Sequence, residues 1–282
     1  MVYAIDWAES SGETPSPSVY KDFLRKNFGS AASLVGKYYD LSLFEAAISG
    51  SSILKDISAL GINKTEVAVI VAMANVVTDS TYKCPAYYGA AQASAKDIPA
   101  WTYEFTHNST CIWLDTIPQK YVSLFGATHT AEIPFVFGNL DNGYLPNGTC
   151  NSTASEYELS KQMRSLWTAM AENADPSIKD LNWPRFQTTA KNLTTPGLIF
   201  GEAAGSGLVD YTGCTLWSEV NAILSAPNAT TTPLPSGTPT PSSGISPATS
   251  TPAFTNGAVN VLPTAGSSLA FAVLLMGVAV FL

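Results

Sequence analysis

Basic side chains and histidine are scarce in this 282-residue chain. It has 14 lysines and arginines against 22 acids, and its two histidines are His107 and His129. The net charge of −8 argues against nucleic acid as a partner, because phosphate binding needs basic patches. No CxxC pair and no Cys/His cluster of zinc spacing occurs, which weakens any metal reading and gives no cofactor site. Internal repeats are absent too. The first residues, MVYAIDWAESSGETPS, offer neither the basic n-region nor the apolar h-region of a signal peptide.

What is present points to a secreted, globular protein. Hydrophobic residues make up 46% of the chain, enough to fill the core of one sizeable domain or two small ones. Charged residues are only 13%, so Ser, Thr and Asn carry the polar load. Cys84, Cys111, Cys150 and Cys214 form an even, widely spaced set that suits two disulfides in an extracellular setting. Three pairings are possible, and the one expected is Cys84 with Cys111 and Cys150 with Cys214. Six N-x-S/T sequons, at Asn63, Asn108, Asn147, Asn151, Asn192 and Asn228, fit the same compartment as expected N-glycosylation sites.

The C-terminus is unlike the rest. Residues 225–258 form a Ser/Thr/Pro-rich stalk that cannot bury a core and reads as a disordered, O-glycosylated spacer. Small residues at Asn256-Gly257-Ala258 precede a spacer and the apolar run LAFAVLLMGVAVFL. Residues 259–282 thus read as a GPI-attachment signal with Asn256 as the ω residue. The uninterrupted run from Leu269 to Leu282 is shorter than the ~20 residues a spanning helix needs, and no Lys or Arg follows it. A GPI anchor would tie the protein to a membrane at the cell surface or wall. Anchoring requires translocation, so the expected natural start lies upstream of residue 1.

Before the stalk, helices are expected to predominate. Residues 18–60 suggest several short helices broken at Gly29, Gly36 and Gly50, and residues 66–79 suit a buried helix or a strand. An Ala-rich stretch, 86–96, looks helical, and 98–107 alternates as a strand with Trp101, Tyr103 and Phe105 on one face. Residues 155–176 give the strongest helix, with an apolar stripe of Leu159, Met163, Leu166, Trp167 and Met170, and Pro176 after its end. GLIFGE (197–202) reads as a short strand.

The stretch GATHTAEIPFVFG (126–138) carries the most information. Gly126, His129, Glu132, Ile133, Phe135, Val136, Phe137 and Gly138 resemble the histidine motif of the type-B carboxylesterase/lipase family, the cholinesterase-like α/β-hydrolases that include fungal secreted esterases. The flanks agree in order: TDSTYKCP (78–85), WTYEFTH (101–107), LWTAMAENADPS followed by WPRF, and CTLW (214–217). Met170 and Ala174 stand where the family usually has Phe and Gly. The resemblance covers about residues 2–220 and implies an α/β fold, here the C-terminal half of an α/β-hydrolase. The domains expected are therefore 1–220 for the carboxylesterase part, then the stalk, then the attachment signal.

The resemblance also implies a catalytic role for His129 as the base of a Ser-acid-His triad. A serine hydroxyl is a poor nucleophile until an imidazole takes its proton, and a carboxylate fixes the imidazole tautomer. The acid is expected at Glu9, in the segment DWAES, although Asp6 and Ser10 replace the family's usual Asn and Gly. Glu13 and Asp6 are weaker alternatives. Glu132 is expected to support the loop by hydrogen bonding, and His107 to be structural or exposed. The nucleophile elbow G-x-S-x-G does not occur in these residues, nor does an H-G-G-G-type oxyanion loop. The expectation is a fragment of a serine esterase acting on small-molecule or lipid esters, inactive in isolation and needing no cofactor. Two alternatives remain: a non-catalytic esterase-like adhesion ectodomain, and a GPI-anchored structural wall protein.

Overall fold

The computed structural model describes residues 14–50, 63–111, 113, 126–140, 150–188, 193–226 and 280–281. Residues 227–258 of the stalk, including Asn256, and most of the apolar tail lie outside these residues.

Local signals place the helices. Ser16 accepts from the Val19 amide and Pro17 occupies the first turn of α1 (Pro17–Phe28). A 3-10 turn (Gly29–Ala31) leads into α2 (Ala32–Tyr38), and Asp40 caps α3 (Leu41–Ser49). Gly29 and Gly50 end helices as expected. Gly36 does not break one; it lies inside α2, where an added Cβ would meet Leu24 Cδ1 of α1 at 2.9 Å. Its small size lets two helices approach. The segment that suited either a helix or a strand is helical, α4 (Lys64–Val77), opened by a reciprocal Asn63–Glu66 capping box. A π-helical turn (Thr78–Lys83) joins it to α5 (Cys84–Ser94).

The sheet has the order β3-β2-β1-β4. Strand β1 (Trp101–Phe105) pairs in parallel with β2 (Thr194–Phe200), with Tyr103 opposite Leu198 and Phe105 opposite Phe200. β2 turns back into β3 (Ala204–Asp210), an antiparallel hairpin partner that sequence reading missed. Strand β4 (Val280–Phe281), a two-residue piece of the apolar tail, pairs antiparallel with Trp101 and Thr102 of β1.

Trp101, Tyr103 and Phe105 share one face of β1, as expected, and pack with Leu198 and Phe200 of β2. Helices α6 (Ile133–Phe137) and α7 (Ala154–Asn173) cover that face, along with Trp183. On α7 the expected stripe holds: Leu159, Met163 and Leu166 are buried, with Trp167 and Met170 packed beside them. A second core of α1, α2, α4, α5 and α8 (Cys214–Ser225) gathers Ala100, Val209 and Tyr211. Because both faces carry helices, even Thr102, between the aromatic residues of β1, is fully buried. This mixture of helices around a small sheet is compatible with part of an α/β-hydrolase fold.

Two disulfides are present, and their pairing corrects the sequence expectation. Cys84 joins Cys214, and Cys111 joins Cys150. Cys84 and Cys214 each begin a helix of the same core, α5 and α8. Cys111 lies beyond β1, next to the start of α7, where Ser152 Oγ contacts its sulfur at 3.8 Å. The strand thus separates Cys84 from Cys111, which spacing along the sequence does not show. Among the described residues, no helix is long and apolar enough to cross a membrane.

Candidate active site

His129 sits in a short loop whose backbone is built to turn sharply. Gly126 has φ 60°, and an added Cβ there would lie 3.2 Å from Asn108 Oδ1. Thr130, a β-branched residue, is held at φ 68°, a conformation that costs roughly 1–3 kcal/mol. That strain is offset by anchors on both sides. The Thr130 hydroxyl and Trp113 Nε1 both donate to the His129 carbonyl, the latter at 3.1 Å. Ala131 and Glu132 are buried immediately after it.

The aromatic run that follows is the helix α6. Phe135 is buried against Phe105 and His107, and Ser160 Oγ of α7 donates to its carbonyl at 2.7 Å. Gly138 closes the helix at φ 71°, with the Arg164 side chain lying across it. Phe137 remains 63% exposed. The motif therefore divides: its first half holds the backbone of His129, and its second half fastens the loop to α7.

The imidazole of His129 is half-buried, and burial lowers its pKa below the ordinary 6.5. Its Nδ1 is buried with no hydrogen-bond partner among the described residues, as are Thr128 Oγ1 and Glu132 Oε2. Burial pushes the Glu132 carboxyl up to about 7. The ring of Tyr82, from the π-helical turn, lies 5.6 Å from that of His129. A His with a depressed pKa is neutral near pH 7 and free to accept a proton. Among the described residues no group of His, Cys, Asp or Glu is arranged to hold a metal ion.

Other expected residues fall in several places. Glu9, with Asp6 and Glu13, lies outside the described residues, as do Asn147, Asn192, Asn228 and Asn256. Asn63, Asn108 and Asn151 are exposed. His107 is buried, 4% exposed, with Nε2 3.2 Å from Glu156 Oε1. It is a structural histidine, and no described contact joins it to His129. Sequence reading missed Glu156 as its partner, although the T-x-x-E spacing of Thr153 and Glu156 was a visible capping signal. It also missed Tyr82, which only the π-helical turn brings to the loop.

Comparison with known proteins places this arrangement. The sequence profile of the Carboxylesterase family matches residues 32–197, more than half of the chain and all of the His129 loop. The chain belongs to the carboxylesterase family. It is similar to a para-nitrobenzyl esterase of Bacillus subtilis, 32% identical over 114 residues, which is 40% of this chain and 20% of that protein. A secreted lipase of Arthroderma benhamiae is 28% identical over 110 residues, 39% of this chain and 17% of the lipase. A chlorogenic acid esterase of Aspergillus niger is 25% identical over 155 residues, 48% of this chain and 27% of the esterase. The carboxylesterase-family chain thus aligns with less than a third of the length of each of these relatives.

Proposed function

We propose that this chain carries the base and the acid of a serine carboxylic-ester hydrolase, with His129 as base and Glu9 as its carboxylate partner. The observation that carries the reading is the buried Nδ1 of His129, set in a strained, well-anchored loop of a carboxylesterase-family chain without an acceptor among the described residues. A carboxylate at Nδ1 would fix the tautomer that leaves Nε2 free to take a proton.

In this mechanism Nε2 removes the proton of a serine hydroxyl as its oxygen attacks the ester carbonyl. The imidazolium then protonates the departing alcohol, and the acyl-enzyme forms. Water, deprotonated by the same Nε2, attacks the acyl carbon, and the serine oxygen leaves with the proton returned. Glu132, buried beside the loop, supports its geometry. The serine and the oxyanion donors are proposed to lie in polypeptide outside these 282 residues, since the chain has no G-x-S-x-G. The substrates are small-molecule or lipid esters. Secretion accords with the relative named as a secreted lipase, and a GPI anchor at Asn256 would hold the protein at the cell surface.

The test uses a longer product of the same gene that includes residues upstream of Met1. Labelling by a fluorophosphonate and hydrolysis of p-nitrophenyl esters are expected, with turnover abolished by His129→Ala and strongly reduced by Glu9→Gln. Undiminished hydrolysis by His129→Ala would overturn the assignment. Release of the surface protein by a phosphatidylinositol-specific phospholipase tests the anchor separately.

A further inference from the structure

The TDSTYKCP stretch (78–85) takes no part in the triad, yet it is fixed more heavily than a linker requires. We infer that its purpose is to hold Tyr82 against the imidazole, making Tyr82 a positioning residue for His129. This rests on the reading of His129 as the base. The ring centroids lie 5.6 Å apart with the planes inclined at 36°, within the range of favourable aromatic contact.

The segment leaves α4 as a π-helical turn, Thr78–Lys83, before α5 resumes α-helical bonding. Such turns insert extra residues into a helix, re-aim side chains and recur at functional sites. Here the turn is clamped at both ends. At its start, Asp79 accepts from the Tyr39 hydroxyl at 2.6 Å, and Tyr39 in turn accepts from Trp217 Nε1 at 3.1 Å. That relay ties the turn to the end of α2 and to α8. At its finish, Lys83 reaches Glu104 of β1 at 3.7 Å, and Cys84 is bonded to Cys214. Tyr82 stands between these anchors, so the backbone that carries its ring is held beside the His129 loop.

The clamp completes what the loop begins. Trp113 and Thr130 fix the His129 carbonyl but not the rotation of its ring. An aromatic side chain against the imidazole restricts that rotation while leaving Nδ1 to its carboxylate and Nε2 to proton transfer. Small errors in the placement of a reacting group are costly, up to about 100-fold in rate for a displacement of ~1 Å. Asp79 and Lys83 thus act at a distance through Tyr82.

The two-histidine composition makes the test direct. In the 282-residue chain, the imidazole Cε1–H correlations give two signals, one for each histidine, and His129→Gln identifies its own by loss. A nuclear Overhauser contact between the rings of Tyr82 and His129 is expected, and its absence in the unsubstituted chain overturns the inference. Tyr82→Leu should shift the His129 signal downfield by removing the ring current, with the His107 signal unmoved as the control for folding. Tyr82→Phe should restore the original position. A His129 signal that stays in place in Tyr82→Leu also overturns it. In the longer, fluorophosphonate-reactive protein, Tyr82→Leu should lower kcat roughly tenfold with KM unchanged, and Tyr82→Phe should recover it. If His129→Ala keeps its turnover while the ring contact is observed, the base assignment fails and the contact stands. If His129→Ala is inactive and the ring contact is missing, the positioning role alone fails.

Discussion

Glu156 Oε1 lies 3.2 Å from His107 Nε2, and both side chains are buried. The same carboxylate accepts from the Thr110 and Thr153 amides, each at 2.6 Å, and from the Thr153 hydroxyl at 3.0 Å. One side chain thereby joins the end of β1 to the start of α7. Burial raises its pKa, but the bonds from His107, Thr153 and Thr110 outweigh this and hold it at about 2, against an ordinary 4.5. Because the folded value is depressed, the stabilisation is present above pH 4.5 and is lost as pH falls through about 2. Glu156→Gln is expected to cost on the order of 3 kcal/mol at pH 7, with a much smaller difference near pH 2, as read by urea unfolding at both pH values.

Glu132 has the opposite sign. Burial raises its folded value to about 7, so the folded chain keeps a proton that the unfolded chain releases near 4.5. Stability from this group is complete below pH 4.5 and is lost as pH rises through 7. Glu132→Gln keeps the neutral form at every pH. The variant should match the parent at pH 4 and exceed it by on the order of 3 kcal/mol at pH 8. Parallel pH profiles for the two proteins would refute the buried, protonated carboxyl.

Much of the fold was legible before the structure, for physical reasons that particular elements show. The α7 stripe and the face shared by Trp101, Tyr103 and Phe105 are periodicities, and periodicity survives in a linear sequence. The family was legible because the motif around His129 is long. The disulfide pairing was not, since it depends on α5 and α8 starting side by side in one core. Tyr82 was invisible for a similar reason. A π-helical turn shifts the helical phase, so no regular spacing predicts which way its ring points.

Asn63 combines two expected roles that variants can separate. Its Oδ1 accepts from the Glu66 amide at 2.9 Å to cap α4, and its side chain is the acceptor of a sequon completed by Thr65. Asn63→Ala should lose both the glycan and the cap, costing about 1 kcal/mol. Thr65→Ala should lose the glycan and only the bond from Thr65 Oγ1 to Glu45, for less than about 0.5 kcal/mol. Glycosidase-sensitive mass on a gel and thermal melts of the two variants read the two effects independently.

Replacing Cys84 and Cys214 together by Ala should be the most damaging of the covalent changes. A cross-link over 130 residues restricts the unfolded chain more than one over 39, by roughly 1 kcal/mol in the chain-entropy picture. Denaturant midpoints of the two double variants, with m-values checked for equality, give the comparison. A larger loss from the Cys111/Cys150 pair would show that local packing, not loop length, decides.

The two disulfides have a topological consequence. Residues 111–150 form a covalent ring, and that ring lies wholly inside another running from 84 to 214. His129 is on the inner ring. A protease that cuts once anywhere between Cys111 and Cys150 therefore releases nothing, because each new end is still tethered by both bridges. The cleaved chain would run as a single species until reduced, and the segment bearing the imidazole would stay joined to the helices that orient it.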